Sequence, residues 1–230
     1  MWYFPYAIKS LVVSIPKIKR PKYRESILMR KMLKAYFTYP PLIFFISVFL
    51  FLIFWCLHTG LLLQHWYLIL IAPILQGPFE WVVHKFILHA KVKPHHKFIY
   101  RYMKRLHYDH HKEPQKPELL FAQFSASLSI FLGFYLLFAL IWGQQLALVP
   151  LLGVFAGYLF YEWVHLGHHT VDYDPQTPWG KHMKEFHLWH HYKNENYWWG
   201  ITMSWFDSVM GTNPLPKKVS RSEGVKTVGI

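Results

Sequence analysis

Four long stretches of almost purely apolar residues dominate the pattern of this sequence. Residues 42–63 contain no Lys, Arg, Asp or Glu. As a helix rising 1.5 Å per residue they would extend about 33 Å, enough to cross the roughly 30 Å hydrocarbon core of a bilayer. Similar stretches follow at residues 66–83, 119–142 and 146–164. We predict four transmembrane helices, because this chain has too few polar residues to cover so many buried core helices.

The positive charges predict how these helices are oriented. The 25 Lys and Arg residues, which contribute to a formal net charge of +13, fall before residue 35, between Lys85 and Lys116, and from Lys181 onward. The two short connections, HTGLLLQHW and WGQQLA, contain none. The positive-inside rule therefore predicts cytoplasmic termini and a cytoplasmic middle connection, in a bacterial inner membrane or the endoplasmic reticulum. The charge needs no nucleic acid to explain it, and we expect no nucleic-acid partner.

Composition divides the chain into three predicted regions. Residues 1–39 interleave Tyr with basic residues, which is typical of an interfacial segment against anionic headgroups. Residues 40–214 form the membrane domain, and residues 215–230 are expected to be a basic, flexible tail. The single cysteine, Cys56, excludes a disulfide framework and a cysteine-based zinc site.

Histidine is concentrated on the predicted cytoplasmic side. The spacing H-x-x-H-H occurs three times, as HYDHH from His107, HLGHH from His165 and HLWHH from His187. The stretch HKFILH adds His84 and His89 at the end of the second apolar stretch. Because positions i, i+3 and i+4 share one face of a helix, each triplet is predicted to direct its imidazoles to one point.

The histidines predict a site for two metal ions. Four segments that are distant in sequence reach the same membrane face, whereas His58 and His65 fall on the other side as ordinary interfacial residues. Neutral imidazole is a ligand for zinc, copper, iron and nickel, and the positive surroundings favour the neutral form. About ten imidazoles suit two ions with five nitrogens each. A pH-sensitive patch and a loose metal sink are the alternatives.

Three carboxylates lie near these histidines in the sequence. Carboxylate-bridged metal sites in helical bundles repeat the spacing Glu-x-x-His, which occurs only once near the cluster, from Glu162 to His165. We therefore interpret Asp109, Glu162 and Glu185 as acceptors for the outer N–H groups of metal-binding histidines. Local charge balance is an equally good interpretation.

These motifs resemble the integral-membrane fatty acid hydroxylase and sterol desaturase superfamily. The matching stretches are HKFILH, HYDHH, HLGHH, HLWHH and YWWGITMSWFDSVMGT, between about Pro78 and Pro214. They are most like the fatty acid 2-hydroxylases without a fused cytochrome domain. The resemblance implies an all-α integral membrane protein, with four transmembrane helices and a cytoplasmic helical cap that holds a histidine-rich dimetal site.

The resemblance also implies a ligand set, because the family binds two metal ions through ten histidines. The corresponding residues here are His84, His89, His107, His110, His111, His165, His169, His187, His190 and His191. The third motif of the family is H-x-x-x-H, which matches His165 and His169. His168 is therefore placed beside the ligands rather than among them.

The implied activity is that of a membrane-bound non-haem di-iron monooxygenase, an oxidoreductase that hydroxylates a fatty acyl chain at its 2-position with O2 as co-substrate. Zinc has no accessible redox state, although it can replace iron in a purified sample. The implied substrate is a free or sphingolipid-type acyl chain in the bilayer. Because no haem motif occurs in the first 40 residues, electrons are expected from a separate cytochrome b5-type or ferredoxin-type donor and its reductase.

Other functions stay open. A hydroxylase or desaturase of sterols, carotenoids or alkyl lipids would belong to the same superfamily. A metal transporter or metal-binding membrane protein would be a different class, although transporters place their ligands near the membrane midplane. Trp198, Trp199 and Trp205 are interpreted as interfacial anchors, with a lid over the substrate entrance as the alternative.

Overall fold

The structure, a computed structural model, describes residues 22–228, and most of the predicted interfacial segment, residues 1–21, lies outside them. Within residues 22–228 the chain is helical and contains no β-strand. The α-helices in chain order are α1 (Lys22–Thr38), α2 (Pro40–His58), α3 (Leu61–His65), α4 (Ile71–Val82), α5 (Lys97–Met103), α6 (Asp109–Lys112), α7 (Pro117–Leu120), α8 (Phe124–Trp142), α9 (Leu148–His169), α10 (Pro178–Tyr192) and α11 (Trp205–Val209).

Shorter helical turns connect several of these helices. Turns of 3-10 helix occupy Trp66–Leu70, Pro216–Lys218 and Gly224–Lys226. Turns of π-helix occupy Val83–Leu88 and Lys104–Tyr108. The π turns follow α4 and α5 without a break, so each continues the path of the helix before it.

Four segments are long and apolar enough to cross a membrane, as the sequence predicts. They are Pro40–His58 (first span), Leu61–Leu88 (second span), Pro117–Trp142 (third span) and Leu148–His169 (fourth span). Their outward faces are apolar, with Phe54, Leu132 and Leu140 more than half exposed. A soluble protein would not leave such surfaces in water, and the chain is a multi-pass membrane protein.

The second and fourth spans end later in the sequence than the predicted residues 66–83 and 146–164. The second continues through the π turn to Leu88, and the fourth continues to His169. Each helix therefore carries histidines on its own last turns. We call this end of the bundle, where the second and fourth spans finish, the histidine end, and we call the segments that follow these two spans, residues 89–116 and 170–228, the cap.

The fourth span occupies the centre of the bundle. Half of it is buried, compared with 17–28% of each other span. Its Gly153 lies so close to the second span that an added Cβ would come within 2.5 Å of the Ile69 carbonyl oxygen and 2.8 Å of the Ala72 Cβ. Small residues permit such close approach of helices in membranes. The second and fourth spans therefore pack with their backbones in close contact at Gly153.

Aromatic side chains fill the space between the first, third and fourth spans. Phe131 stacks on Phe155 with ring centroids 3.8 Å apart, and Phe45 contacts both rings at 5.0 and 6.4 Å. Offset and edge contacts of this kind add stabilisation beyond the area buried. On the cap side, the Tyr36 hydroxyl of α1 donates to the Leu159 carbonyl oxygen at 2.7 Å and joins α1 to the fourth span.

Helix α10 is held against the end of the fourth span. Its N-terminus begins at Pro178, and the Thr177 side chain accepts from the Gly180 N–H at 3.0 Å, which satisfies one of its free amides. The Lys184 ammonium donates to the carbonyl oxygens of Gly167, Thr170 and Tyr173 at 2.7–3.0 Å. A cation is favoured at a helix C-terminus.

The segment after Pro214 differs from the flexible tail that the sequence suggests. Its described part lies against the rest of the cap, with Val225 and Val228 buried. The Ser222 N–H donates to the Lys193 carbonyl oxygen at 2.7 Å, and the Lys226 ammonium donates to the Lys112 carbonyl oxygen at 3.2 Å. Basic composition suggested a solvated tail, but the two buried valines give this segment an apolar face to pack.

Candidate metal centre

The ten histidines of the predicted ligand set lie together in two groups of five. The first group contains His84, His89, His107, His111 and His190. The second group contains His110, His165, His169, His187 and His191. Within each group, one ring nitrogen from every histidine lies within 4.8 Å of the others.

The expectation that each H-x-x-H-H triplet points to one place is wrong. His107 and His111 belong to the first group, whereas His110 between them belongs to the second. In α10 the division is reversed, because His187 and His191 belong to the second group and His190 to the first. The i and i+4 side chains belong to one group while the i+3 side chain, on the same face of the helix, belongs to the other, because the two groups lie side by side.

The π turn of the second span explains the spacing of HKFILH. In a regular α-helix, residues five positions apart are separated by about 140° around the axis and do not share a face. Here the His89 N–H donates to the His84 carbonyl oxygen at 3.1 Å, an i+5 to i hydrogen bond. The wider turn brings both imidazoles to the same side, with ring centroids 5.1 Å apart. Such π turns are frequent at functional sites.

Main-chain carbonyls orient three histidines of the first group. The Nδ1 atoms of His84, His190 and His111 lie 2.6, 2.8 and 3.1 Å from the carbonyl oxygens of Trp199, Tyr197 and Val225. A carbonyl only accepts, so each Nδ1 must carry the proton. The lone pair of each Nε2 is then left free to bind a metal.

The carboxylates expected to accept from the histidines are placed differently. Asp109 pairs with Lys104 at 3.4 Å, and Glu185 is exposed. Glu162 is buried, and its Oε1 accepts from the Ala122 N–H at 3.0 Å. In the described part of the chain, main-chain carbonyls take the acceptor role at the first group instead, because the folded Tyr197–Trp199 and Gly224–Lys226 segments pass directly beside the rings.

The other histidines lie outside the two groups. His168 is buried with its ring centroid 5.3 Å from that of His187, and it belongs to neither group. His95, His96 and His182 are exposed at the histidine end. His58 and His65 lie at the opposite end of the bundle, where the first span finishes and the second begins.

Burial keeps the cap histidines neutral. It lowers the pKa of His107, His110 and His187 well below the usual value, and neighbouring imidazoles lower these pKa values further. The same two causes lower the pKa values of His89, His111, His190 and His191. Neutral imidazole is the form that binds a metal.

The donor sets fit metal ions. Within the described residues, the Nε2 atoms of His84, His107, His111, His110, His165 and His191 are buried without a hydrogen-bond partner. Leaving such atoms unpaired costs free energy, so a bound cation is a natural partner for them. Since metal–imidazole bonds are about 2.1 Å long, ligands on opposite sides of an ion are about 4.2 Å apart, close to the observed spread.

A cavity of about 350 Å³ leads from the two groups into the membrane layer. At one end it is lined by His84 and His107 of the first group and by His110 and His165 of the second. The remaining lining is largely apolar and follows one face of the second span, from Ala72 to Ile87, over a length of about 20 Å. An elongated apolar molecule can therefore reach both groups from within the bilayer.

Two of the three tryptophans interpreted as anchors are buried. Trp198 and Trp199 are only 0% and 3% exposed, so that interpretation is wrong for them, whereas Trp205 is 47% exposed. The Trp199 ring lies 5.4, 4.7 and 5.1 Å from the rings of His84, His89 and His190. The Trp199 ring packs on the histidines, whereas the Trp198 ring packs on those of Trp189 and Tyr197, so neither of the two faces lipid.

Sequence reasoning missed two buried carboxylates next to the first group. Glu80 accepts from the N–H groups of Ile201 and Thr202, and Asp207 accepts from those of Trp199 and Gly200. Burial raises the pKa of Asp207 to about 6, although these amides oppose the shift. A signal for Glu80 was present, because it precedes His84 by one helical turn. Asp207 had no comparable signal.

Comparison with known proteins agrees with this architecture. Two proteins of Arabidopsis thaliana, the dihydroceramide fatty acyl 2-hydroxylases FAH2 and FAH1, are each 31% identical to the chain, over 142 and 139 residues. The matches cover 62% and 60% of this chain but only 58% and 57% of those relatives. The chain therefore spans less than two thirds of the length of either relative.

A solved structure and a family model extend the comparison. The structure of full-length scs7p, in which only the hydroxylase domain is visible, matches with a TM-score of 0.60 at 21% identity, over 88% of this chain and 68% of the other. This likeness supports the fold. The model of the fatty acid hydroxylase family matches residues 68–212, which is more than half of the 230 residues. The chain belongs to the fatty acid hydroxylase family.

Proposed function

We propose that this protein hydroxylates a fatty acyl chain, at its 2-position, with O2 and external electrons. One observation carries the proposal: the apolar cavity between the spans ends at histidines of both five-histidine groups. An acyl chain lying in this cavity has its reacting end at both groups. The Arabidopsis relatives are named as dihydroceramide fatty acyl 2-hydroxylases, which supports a free or sphingolipid-linked acyl chain as the substrate.

The ten grouped histidines are proposed as ligands of two iron ions, five to each ion. When bound, these ions supply the reductive activation of O2 that breaking an unactivated C–H bond requires. The main-chain acceptors of Trp199, Tyr197 and Val225 fix three of the rings in the tautomer that binds metal. Zinc fits the same nitrogens but has no accessible redox state. Zinc found in a purified sample would therefore not argue against iron.

The cavity residues are proposed to bind and orient the acyl chain. Apolar side chains of three spans, including Phe79, Ile130 and Val154, line its membrane part. They exclude water from the chain and stabilise its binding by burying methylene groups, each worth about 0.8 kcal/mol. The polar headgroup then remains at the membrane interface, near the histidine end. Held in this way, the first carbons of the chain lie closest to the metals.

We propose that the histidine end and both termini face the cytoplasm, as the positive charges predict. The surface at this end carries exposed Lys91, Lys93, Lys97, Arg101 and Lys112. Such a surface favours docking of an acidic electron donor of the cytochrome b5 or ferredoxin type, supplied by its reductase. The rate of reduction is then expected to fall as ionic strength rises.

The test is lipid analysis of cells that express the wild type or His110→Ala and are grown aerobically with iron. His110 is a proposed ligand whose ring faces the cavity. We expect a 2-hydroxy fatty acid only with the wild type, because loss of a ligand should cost more than the 10–100-fold in metal affinity or activity that is typical for loss of a partner that merely orients one. His58→Ala, at the opposite end of the bundle, is the matched control and should keep the product.

The same samples separate the alternatives. If oxidised sterols, carotenoids or alkyl lipids appear instead of hydroxy-acyl products, the substrate is one of those lipids rather than an acyl chain. Full acyl hydroxylation by His110→Ala would contradict the ligand assignment. Net metal movement into sealed vesicles would indicate a transporter, a function that ligands collected at one end of the spans do not favour.

A further inference from the structure

Four consecutive amides of the cap donate to two buried carboxylates. The N–H groups of Trp199 and Gly200 donate to the two carboxylate oxygens of Asp207, each at 2.9 Å. The N–H groups of Ile201 and Thr202 donate to Oε2 of Glu80 at 3.0 and 2.9 Å. Both carboxylates are almost completely buried. We call Glu80, Asp207 and the segment 199–202 the carboxylate clamp.

The clamp holds the same stretch of chain that orients the first group. The Trp199 carbonyl oxygen belongs to the same peptide group as the Gly200 N–H held by Asp207, and it accepts from His84 Nδ1 at 2.6 Å. The Tyr197 carbonyl oxygen, two residues earlier, accepts from His190 Nδ1 at 2.8 Å. A shift of the clamped segment would therefore move the acceptors of two rings in the first group.

Neither carboxylate has a spare oxygen for acid–base chemistry. Glu80 Oε1 accepts from the Gln76 side-chain amide at 2.7 Å and from the Thr202 hydroxyl. Asp207 Oδ1 accepts from the Thr212 hydroxyl at 2.7 Å, and this hydroxyl in turn accepts from the Trp81 indole at 2.9 Å. Carboxylates that accept so many hydrogen bonds are suited to fixing neighbouring groups.

The two groups differ in this support. Three rings of the first group donate through Nδ1 to main-chain carbonyls. In the second group, the Nδ1 atoms are buried without a hydrogen-bond partner within the described residues: His110, His165, His169, His187 and His191. The clamp thus acts on one group and not on the other.

We infer that Glu80 and Asp207 are positioning residues that fix the first group of histidines through the segment 199–202, and that they control metal retention at that group alone. The inference rests on the proposed binding of one metal by each group. Partners that orient metal-binding histidines typically change metal affinity 10–100-fold when they are removed. The Glu80→Gln change replaces one acceptor oxygen with an NH2 group that faces an N–H donor.

The experiment counts iron in the purified full-length protein after anaerobic loading with 57Fe(II) and dialysis against a chelator. The wild type should keep two irons per chain. Glu80→Gln and Asp207→Asn should keep about one, because affinity at the first group falls roughly 10–100-fold. His190→Ala and His165→Ala serve as reference variants, which should lose iron from the first and the second group respectively. The Mössbauer spectrum of the iron left in Glu80→Gln should match that of His190→Ala.

Glu162→Gln is the matched control, because Glu162 is an equally buried carboxylate in a span but accepts from the Ala122 amide rather than from the segment 199–202. It should keep the first-group iron. Thr202→Val removes only one hydroxyl from the clamp and serves as a second variant if Glu80→Gln does not fold. It should lower iron retention at the first group and leave the second group unchanged.

Three outcomes would overturn the inference. Retention of both irons by the folded clamp variants would show that the carboxylates do not position the first group. Equal loss from both groups, in Glu80→Gln and Glu162→Gln alike, would show that the carboxylates only stabilise the fold. A wild type that holds fewer than two irons would contradict the ligand assignment itself, and the inference would fall together with the proposed function.

Discussion

Adjacent histidines in this chain serve different sites. His110 and His111 are neighbours in sequence, yet their rings belong to different groups, and the same holds for His190 and His191. Their ring centroids are 6.2 and 5.5 Å apart, so the two groups lie side by side with helical turns shared between them. Each of these two helical segments gives a pair of histidines to one group and a single histidine to the other.

His168 provides a residue-scale test, because it is the neighbour of a proposed ligand. We predict that His168→Gln keeps two irons per chain, whereas His169→Gln loses iron from the second group. The reason is geometric: His169 Nε2 lies 2.8 Å from His187 Nε2 inside the group, while His168 lies outside it. Iron analysis of both purified variants makes the comparison. Equal iron loss in the two would place His168 among the ligands.

At this scale the sequence predicts which histidines gather but not how they divide. Ten of the sixteen histidines could be selected from spacing and family resemblance, and all ten lie in the two groups. Their division depends on how the helical segments pack together in three dimensions, which no local pattern encodes. Glu80 could have been identified one helical turn before His84, whereas Asp207 follows no recognisable spacing.

At the scale of elements, the second span is built from three kinds of helix. A 3-10 turn at Trp66–Leu70 meets the fourth span, and the π turn at Val83–Leu88 brings His84 and His89 together. Hydropathy predicts the existence of this span well, since length and apolar content are properties of the sequence. It does not predict the 3-10 and π turns, which depend on the close contact at Gly153 and on the histidines.

Gly153 and Gly133 form a matched pair for testing that contact. Both lie within spans, but a Cβ at Gly153 would clash with Ile69 and Ala72, whereas one at Gly133 would meet nothing within 4 Å. We predict that Gly153→Ala lowers the free energy of unfolding by about 1–3 kcal/mol through overpacking. Gly133→Ala should be neutral or stabilising by about 0.5–1 kcal/mol, because Ala favours the helix.

Thermal unfolding of the two glycine variants in the same detergent gives the answer. A lower midpoint for Gly153→Ala alone would confirm that the second and fourth spans pack backbone to backbone. Equal midpoints for the two variants would contradict the packing described for the bundle centre.

The described part of the C-terminal segment packs against the rest of the cap, although its basic composition predicts a flexible tail. Four of its residues are basic, which suggests a solvated chain, yet Val225 and Val228 are buried and the Val225 carbonyl accepts from His111. A short segment needs only a few apolar contacts and main-chain hydrogen bonds to pack on a preformed surface. Neither feature is visible in residue counts.

At the scale of the whole molecule, the proposed substrate cavity and the proposed metal centre follow one another along the bundle. The apolar cavity runs beside the second span within the membrane layer, and the polar histidine groups close one end of it. Four spans and a one-sided collection of histidines follow from the sequence. The cavity does not, because it is the space that three helices leave between them. The cytoplasmic orientation stays a prediction from charge.

The central claim is that O2-dependent acyl hydroxylation takes place where the cavity meets the two histidine groups. The most direct test is growth of expressing cells under 18O2, followed by mass spectrometry of the released fatty acids. We predict that the wild type yields 2-hydroxy fatty acids whose hydroxyl carries 18O, and that His110→Ala yields none. Hydroxyl oxygen derived from water, or labelled product in equal amounts from both proteins, would contradict the account.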